Sequence, residues 1–146
     1  KEYCNFLKQV EDARKIRAAI VNCFERASFP ELTDEERTRF LTFAIIGAGP
    51  SGIEAASELR TFIEEDGPKY YPDLLKYVRI KVIEGSDTVL APFHKKLQQE
   101  AIRRMNSRAE IKDRAAQELL PPSFQLTELM LQSFVKEVTK DTILLK

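Results

Sequence analysis

The spacing of apolar residues predicts two helices in the first 40 residues. Over residues 11–28 the apolar positions recur at intervals of three and four, which places them on one helical face. These positions are Ile16, Ile20, Cys23, Phe24 and Ala27. Pro30 ends this helix, and Thr33 followed by Glu36 predicts a capping box for a short second helix. A short extended segment is predicted before them, at residues 3–7.

A strand, a helix and a second strand are predicted next. Residues 41–46 are an apolar, β-branched run, whereas residues 53–65 return to helical spacing. The helical face that we expect to cover the sheet consists of Ile53, Ala56, Leu59, Phe62 and Ile63. Residues 78–83 predict a largely buried strand. Glycine and proline in residues 66–72 predict a loop, followed by a short helical turn at 71–77.

The last third of the chain mixes helical and strand patterns. Pro92 is predicted to begin a helix, and residues 108–120 have helical character until Pro121 and Pro122 end it. The expected buried stripe of the first of these helices is Phe93, Leu97, Ala101, Ile102 and Met105. Strand patterns follow at residues 129–132, 134–139 and 142–145, and the last two are predicted to form a hairpin.

A glycine-rich motif, G-x-G-x-x-G, joins the first predicted strand to its helix. It reads Gly47-Ala48-Gly49-Pro50-Ser51-Gly52, and we expect all of these residues to contact a dinucleotide. In such motifs the first glycine permits the tight turn, the second lets the backbone approach a pyrophosphate, and the third lets helix and strand pack closely. The helix then directs its free N–H groups at the phosphates, and Pro50 fits its first turn.

An acidic residue, Glu84, ends the second predicted strand. A carboxylate there can accept hydrogen bonds from both hydroxyls of an adenosine ribose and would repel a 2′-phosphate, which favours NAD(H) over NADP(H). Glu84 lies 32 residues after Gly52, whereas the usual spacing is about 20. The loop predicted at residues 66–72 accounts for the difference.

Together these features predict an α/β fold of the Rossmann type. The order β-α-β-α-β implies a parallel sheet with right-handed crossovers, layered between helices. We therefore predict a three-layer, Rossmann-like NAD(P)-binding domain with a small antiparallel β-meander, preceded by an N-terminal helix.

Composition narrows the function further. The 23 basic and 23 acidic residues balance and form no basic block, which argues against a nucleic-acid partner. No apolar run approaches the roughly 20 residues of a membrane span, and no targeting segment is recognisable. Cys4 and Cys23 are too few for a zinc site, so we expect no metal. His94, the only histidine, is expected to be a solvated surface residue.

Several segments resemble single-subunit type II (alternative) NADH:quinone oxidoreductases. Residues 5–13 resemble that family's F-L-K-E-V-x-D-A, and residues 46–54 are similar to its V-G-G-G-P-T-G-V-E. Residues 82–84 and 134–138 look like the family as well. Ala48 replaces a family glycine, a small change. The resemblance covers nearly the whole chain except residues 107–126, which look like a lineage-specific insertion.

The resemblance implies the NADH-binding part of a longer flavoprotein. Residues 41–146 would be the NADH-binding domain, truncated at its C terminus, and residues 1–40 a connecting strand and helix from the flavin side. FAD, the quinone site and a C-terminal membrane-facing region would belong to the missing parts of the parent. The family further implies a peripheral protein of the mitochondrial inner membrane, in the respiratory chain, and a possible homodimer in the parent.

Glu54, two residues after the last glycine, is the candidate catalytic residue. In the family that it resembles, the matching glutamate lies near the nicotinamide and the flavin ring. It could instead be only an acid that the helix dipole stabilises. The implied reaction passes hydride from NADH to FAD and then electrons to a quinone, and the fragment alone is expected to be inactive. Two alternatives stay open: part of another pyridine-nucleotide flavin reductase, and a non-catalytic NAD(H)-binding module.

Overall fold

A three-stranded parallel sheet organises the chain, whose computed structural model describes residues 3–146. The strands are β1, Thr42–Ile46; β2, Arg79–Ile83; and β3, Thr127–Met130, in the spatial order β1-β2-β3. Since neighbouring strands run parallel, the chain crosses between them through helical connections. The predicted α/β, Rossmann-like fold is confirmed.

Helices fill the connections before and between the strands. They are α1, Val10–Ala27; α2, Asp34–Phe40; α3, Pro50–Glu65; α4, Gly67–Tyr70; a 3-10 helix, Pro72–Tyr77; α5, Lys95–Asn106; and α6, Arg114–Glu118. The predicted capping box begins α2: the Thr33 hydroxyl accepts from the Glu36 amide at 3.2 Å, and the Glu36 carboxylate accepts from the Thr33 amide at 2.8 Å. None of the helices described is long and apolar enough to cross a membrane.

The antiparallel part is a two-stranded hairpin. Its strands are β4, Val135–Val138, and β5, Ile143–Leu145. The Thr139 amide donates to the Thr142 carbonyl at 2.9 Å and closes the turn. The hairpin that the strand pattern predicted over these residues is therefore present.

An aromatic cluster joins α1 to the sheet. Phe24 is fully buried, and its ring lies 4.7 Å from that of Tyr71, 6.1 Å from that of Phe62 and 6.2 Å from that of Phe43. Burying one such side chain contributes about 1.5–3 kcal/mol. The apolar face of α1 is thus part of the same core as β1 and α3, which makes the N-terminal helix an integral layer.

The helix after β2 begins later than its pattern predicted. His94 precedes the first turn of α5, and its Nδ1 accepts from the Lys96 amide at 3.2 Å. Phe93 therefore precedes the helix and is 44% exposed, and Leu97 in the first turn is 47% exposed. Only the later part of the predicted stripe is buried, at Ala101 and Met105. The expectation for Phe93 and Leu97 was wrong because the first turn of α5 projects beyond the core.

Three other local predictions need correction. Residues 66–72 include a short helix, Gly67–Tyr70, rather than only a loop, and Gly67 is buried where a Cβ would lie 2.6 Å from the Leu75 side chain. The helix predicted over residues 108–120 is confined to Arg114–Glu118. Residues 3–7 form no strand, and Lys1 and Glu2, which begin the predicted connecting part at residues 1–40, lie outside the described part of the chain.

Candidate functional site

The candidate site lies where the three parallel strands end. Gly47 follows β1, Glu84 follows β2, and a turn at residues 131–134 follows β3. Parallel strands bring their carboxyl ends to the same edge of a sheet, which is where open α/β sheets bind ligands. The sheet therefore collects on one edge the motifs that are separated in sequence.

At two positions of the motif, the backbone conformation or the local packing requires glycine. Gly47 has a φ of +100°, a conformation that L side chains rarely adopt, and its amide donates to the Ile83 carbonyl at 2.8 Å. A Cβ at Gly52 would overlap the carbonyl oxygen of Gly47. The first turn of α3 thus packs directly on the turn that leaves β1: a side chain at Gly52 would displace that turn, and one at Gly47 would strain its backbone.

Gly49 differs from the other two because the space beside it is open. It precedes the first turn of α3 with φ −73°, which any residue can adopt, and a Cβ there would meet nothing within 4 Å. In the described part of the chain, no hydrogen-bond acceptor pairs with the amides of Ser51 and Gly52. The open space and the free donors together could receive an anionic group at the positive end of the α3 dipole.

Glu84 reaches back to the glycine-rich loop. Its Oε2 accepts from the Ala48 amide at 2.7 Å, and its Oε1 accepts from the Ser86 amide at 2.8 Å. These amides, Ser86 first, hold the pKa of Glu84 below its usual value because they stabilise the carboxylate. A carboxylate has about four acceptor positions, so roughly two remain for a ligand. The glutamate is charged, and it is fixed against the loop.

Ala48 is held on both sides. Its amide donates to Glu84, and its carbonyl accepts from the Leu90 amide at 2.9 Å. Leu90 has φ +50°, which is uncommon for a residue other than glycine. Ala48 is buried as a whole, with 1% of the residue exposed, and both of its backbone groups are paired, so it supports the turn and offers no free hydrogen-bonding group to a ligand.

The remaining predicted site residues lie at the start of α3. Pro50, Ser51 and Glu54 are exposed, and neither the Ser51 nor the Glu54 side chain forms a hydrogen bond with the residues described. The structure therefore brings Gly47, Ala48, Gly52 and Glu84 together, through the hydrogen bond between Ala48 and Glu84 and the close packing of Gly52 on Gly47. It leaves Pro50, Ser51 and Glu54 exposed on the adjoining surface of the helix.

The sequence did not predict that the loop between β2 and α5 supports the candidate site. Gln98 of α5 fastens it: its Nε2 donates to the carbonyls of Phe93 at 2.9 Å and of Leu90 at 3.3 Å. Since Leu90 in turn bonds Ala48, this loop supports the glycine-rich turn from behind. The sequence gives little indication of this support, because backbone groups make most of these hydrogen bonds and are the same at nearly every residue.

The cysteines and the histidine lie outside this site. Burial raises the pKa of the Cys23 thiol, which disfavours the reactive thiolate, and Cys4 is also unbonded. His94 is exposed at the start of α5. Over residues 3–146, no group of three or more His, Cys, Asp or Glu side chains is arranged to hold a metal ion.

Similar sequences are found among alternative dehydrogenases, although no family model matches the chain. External alternative NAD(P)H-ubiquinone oxidoreductase B2, mitochondrial, of Arabidopsis thaliana is 47% identical over 97 residues, 66% of this chain and 17% of that protein. External NADH-ubiquinone oxidoreductase 2, mitochondrial, of Saccharomyces cerevisiae is 43% identical over 93 residues, 64% and 17% of the two chains. A protein of Dictyostelium discoideum named "Probable NADH dehydrogenase" is 38% identical over 147 residues, 99% of this chain and 29% of its own length.

A solved structure shares the fold. NDH2 from Plasmodium falciparum, determined in complex with NADH, matches 97% of this chain with a TM-score of 0.82 at 24% identity, and the match covers 25% of that protein. The chain thus spans 17% to 29% of the length of the curated relatives named above. By sequence and by fold, the chain therefore corresponds to one segment of longer proteins.

Proposed function

Because this chain belongs to the type II (alternative) NAD(P)H–ubiquinone oxidoreductase family, we propose that it is the NADH-binding part of such an enzyme. The observation that carries the proposal is the hydrogen bond between the Glu84 carboxylate and the Ala48 amide. It joins a ribose-binding acid to a phosphate-binding turn in one rigid unit. Both groups lie at the carboxyl edge of a parallel sheet, where a dinucleotide binds.

The pyrophosphate of NADH fits the space beside Gly49. A Cβ at that position would meet nothing within 4 Å, so the backbone there is approachable. The amides of Ser51 and Gly52 have no acceptor within the described chain and lie in the first turn of a 16-residue helix. Their donors and the helix dipole would neutralise part of the negative charge of the diphosphate.

Glu84 selects NADH over NADPH in this proposal. Its two oxygens retain acceptor capacity for the ribose 2′- and 3′-hydroxyls after bonding Ala48 and Ser86. A 2′-phosphate would bring negative charge against a carboxylate that is held in its charged form, and the pair would repel. The plant relatives are NAD(P)H-ubiquinone oxidoreductases, and the ratio of NADH to NADPH affinity measures the preference of this chain.

The rest of the reaction belongs to the longer parent. NADH supplies a hydride and FAD accepts it when both are bound, after which a quinone takes the electrons. The residues of this chain would bind and orient the nucleotide, and the exposed Glu54, near the start of α3, would lie beside the nicotinamide. We propose that the parent is a peripheral protein of the mitochondrial inner membrane and forms homodimers.

The domain division is also a proposal. Residues 41–146 would form the NADH-binding domain, with residues 107–126 as an insertion in it. Residues 1–40 would connect it to the flavin side, and Phe24 in this part is buried against Phe43 and Tyr71 of the domain. The connection would therefore be rigid, which keeps the nucleotide at a constant position relative to the flavin.

Calorimetric titration of the 146-residue chain with NADH and NADPH tests the proposal. We expect NADH to bind with the larger association constant and ADP-ribose to compete with it. Absence of NADH binding by folded protein, or NADPH binding that is equal or tighter, would refute the assignment. Purified chain that oxidises NADH with added quinone would contradict the separate expectation that this segment is inactive alone.

A further inference from the structure

We propose that the Phe134 ring is the stacking surface for the adenine of the bound nucleotide. This inference rests on the proposed NADH site and adds a residue to it. Phe134 lies in the turn that follows β3, beside the residue that follows Glu84. Its ring is an exposed aromatic surface at the same edge of the sheet as the glycine-rich motif.

The position of the ring follows from its contact with Gly85. A Cβ built on Gly85 would lie 2.8 Å from Cε1 of Phe134 and 3.0 Å from Cδ1, so the ring covers the Cα of Gly85. Gly85 is the neighbour of the proposed ribose-binding glutamate. Phe134 is nevertheless 58% exposed, so part of its surface remains open for a second flat group.

Backbone hydrogen bonds hold the ring in this position. The Ser133 amide donates to the Glu84 carbonyl at 2.9 Å, and the Gln132 amide donates to the Ser86 carbonyl at 2.9 Å. On the other side, the Lys146 amide donates to the Phe134 carbonyl at 2.7 Å. The turn after β3 is therefore bonded both to the Glu84 segment and to the hairpin, so the backbone that carries the Phe134 ring is positioned before a ligand arrives.

The order of the three strand ends matches the order of groups in the nucleotide. The phosphate-binding turn follows β1, and the ribose-binding acid follows β2. Adenine is attached to that ribose, so it extends away from the phosphates, toward the end of β3. Neighbouring strands lie about 4.8 Å apart, which is within the length of one nucleoside. An aromatic ring at the end of β3 is thus where the base would arrive.

Stacking on an aromatic side chain suits adenine because every base presents a π-face. The chain also contains a matched residue for comparison. Phe29, in the connection between α1 and α2, is 59% exposed and lies outside the loops that follow the strand ends. An effect found at Phe134 and not at Phe29 would separate stacking from the general loss of an exposed ring.

The test compares two halves of the nucleotide on the 146-residue chain. Phe134→Leu should weaken ADP-ribose binding by roughly five- to tenfold, as expected for loss of one base–aromatic stack. Binding of reduced nicotinamide mononucleotide, which has no adenine, should change by less than about twofold. Phe29→Leu should alter neither. A melting temperature for each variant identifies any general loss of structure.

A conservative variant supplies a direct signal. The chain has no tryptophan, so Phe134→Trp introduces a single indole, which should retain ADP-ribose affinity and be quenched by that ligand. Unchanged ADP-ribose affinity in folded Phe134→Leu, or no quenching in Phe134→Trp while ADP-ribose binds, would overturn the stacking role and leave the NADH site standing. If the wild-type chain binds neither NADH nor ADP-ribose, the NADH site and the stacking role are both refuted.

Discussion

The Glu84 carboxylate and the Ala48 amide, 36 residues apart in sequence, are joined by a hydrogen bond of 2.7 Å. The bond links the end of β2 to the turn that leaves β1. Since the same carboxylate also accepts from Ser86, it orients two loops at once. The sequence suggests Glu84 only as a ligand contact, but in the structure its side chain also supports the glycine-rich turn.

Replacing Glu84 should alter both affinity and nucleotide choice. Glu84→Ala removes the acceptor of the ribose hydroxyls and the repulsion of a 2′-phosphate, so we expect NADH to bind about tenfold or more weakly. That change corresponds to about 1.4 kcal/mol, close to one hydrogen bond to a charged group. The difference between NADH and NADPH affinity, measured by calorimetry, should narrow.

Glu128→Ala is the control for Glu84→Ala. Glu128 is exposed on β3 and pairs with Lys81 of the neighbouring strand at 3.1 Å. Its loss should leave both nucleotide affinities within about twofold, since exposed ion pairs contribute 0–1 kcal/mol. If the ratio of NADH affinity to NADPH affinity is the same in Glu84→Ala and in the wild type, Glu84 does not contact the ribose.

Lowering the pH should reduce the free energy of unfolding through protonation of Glu84. Its amide partners lower the pKa of Glu84 in the folded state, so its contribution to stability is present above the unfolded pKa. That contribution is lost as the pH falls through the folded value, from about pH 4.5 downward. Asp12 and Glu36, which accept helix-start amides, also have lowered pKa values and act in the same direction.

A comparison with Glu84→Gln isolates the contribution of Glu84. Urea denaturation of both proteins from pH 7 to pH 3 should show a difference in the free energy of unfolding that shrinks toward acid pH. The contributions of Asp12 and Glu36 cancel in this difference. A gap between the two proteins that stays constant over the whole range would contradict the role assigned to the carboxylate charge.

Substitutions at Gly49 and Gly52 should have opposite effects, one on NADH binding and the other on stability. Gly49→Val places a branched side chain in the proposed pyrophosphate space, so NADH binding should be lost while the melting temperature changes little, because φ is −73° there. Gly52→Ala should instead lower the melting temperature sharply, because its Cβ overlaps the Gly47 carbonyl. Calorimetry and thermal unfolding distinguish the two, and retained NADH binding by Gly49→Val would refute the placement of the pyrophosphate.

Glu54 should affect hydride transfer and leave affinity nearly unchanged. It is exposed near the start of α3 and contributes nothing to the Ala48–Glu84 hydrogen bond, so Glu54→Gln should bind NADH as wild type does. In the full-length protein, stopped-flow reduction of the flavin should slow by roughly ten- to a hundredfold, as when a charged group beside reacting atoms is neutralised. Glu58→Gln, one turn further along the exposed side of α3, is the control. Flavin reduction at the wild-type rate would leave Glu54 as a helix-start acid only.

Arg60 should be among the largest single contributors to stability. The residue is 8% exposed, and its guanidinium donates to Glu64 Oε1 at 2.9 Å, to the Arg104 carbonyl at 2.9 Å and to the Arg108 carbonyl at 2.8 Å. Arg60→Met would remove the cation paired with the largely buried Glu64 carboxylate and the donor to the Arg108 carbonyl, at a cost of about 3–5 kcal/mol in urea denaturation. The control is Arg103→Met, because Arg103 pairs with Glu100 on the surface and its loss should cost under about 1 kcal/mol. Equal losses in the two variants would contradict the role given to Arg60.

The pattern of the sequence determined the helix and strand order, the parallel sheet and the glycine-rich turn between β1 and α3. These features depend on local properties: apolar period, the φ preference of glycine and the capping box at Thr33 and Glu36. Hence α1, predicted over residues 11–28, is found at Val10–Ala27, and the first strand differs by one residue. The helices, the cap and the turn are readable because each is stabilised mainly by residues that are close in the chain, whereas the parallel sheet follows from the alternation of strands and helices.

Only the tertiary structure decided which distant groups meet. Arg60 donates to carbonyls that lie 44 to 48 residues away, and the Glu64 carboxylate accepts from the Glu110 amide. Residues 107–110 are therefore tied to α3 outside any helix, which the helical pattern over residues 108–120 could not reveal. The contact of Phe134 with Gly85 likewise depends on the register of β2 against β3. A sequence records side-chain types, whereas these contacts are made largely by backbone carbonyls and amides, which are the same at nearly every residue and acquire partners only when the sheet assembles.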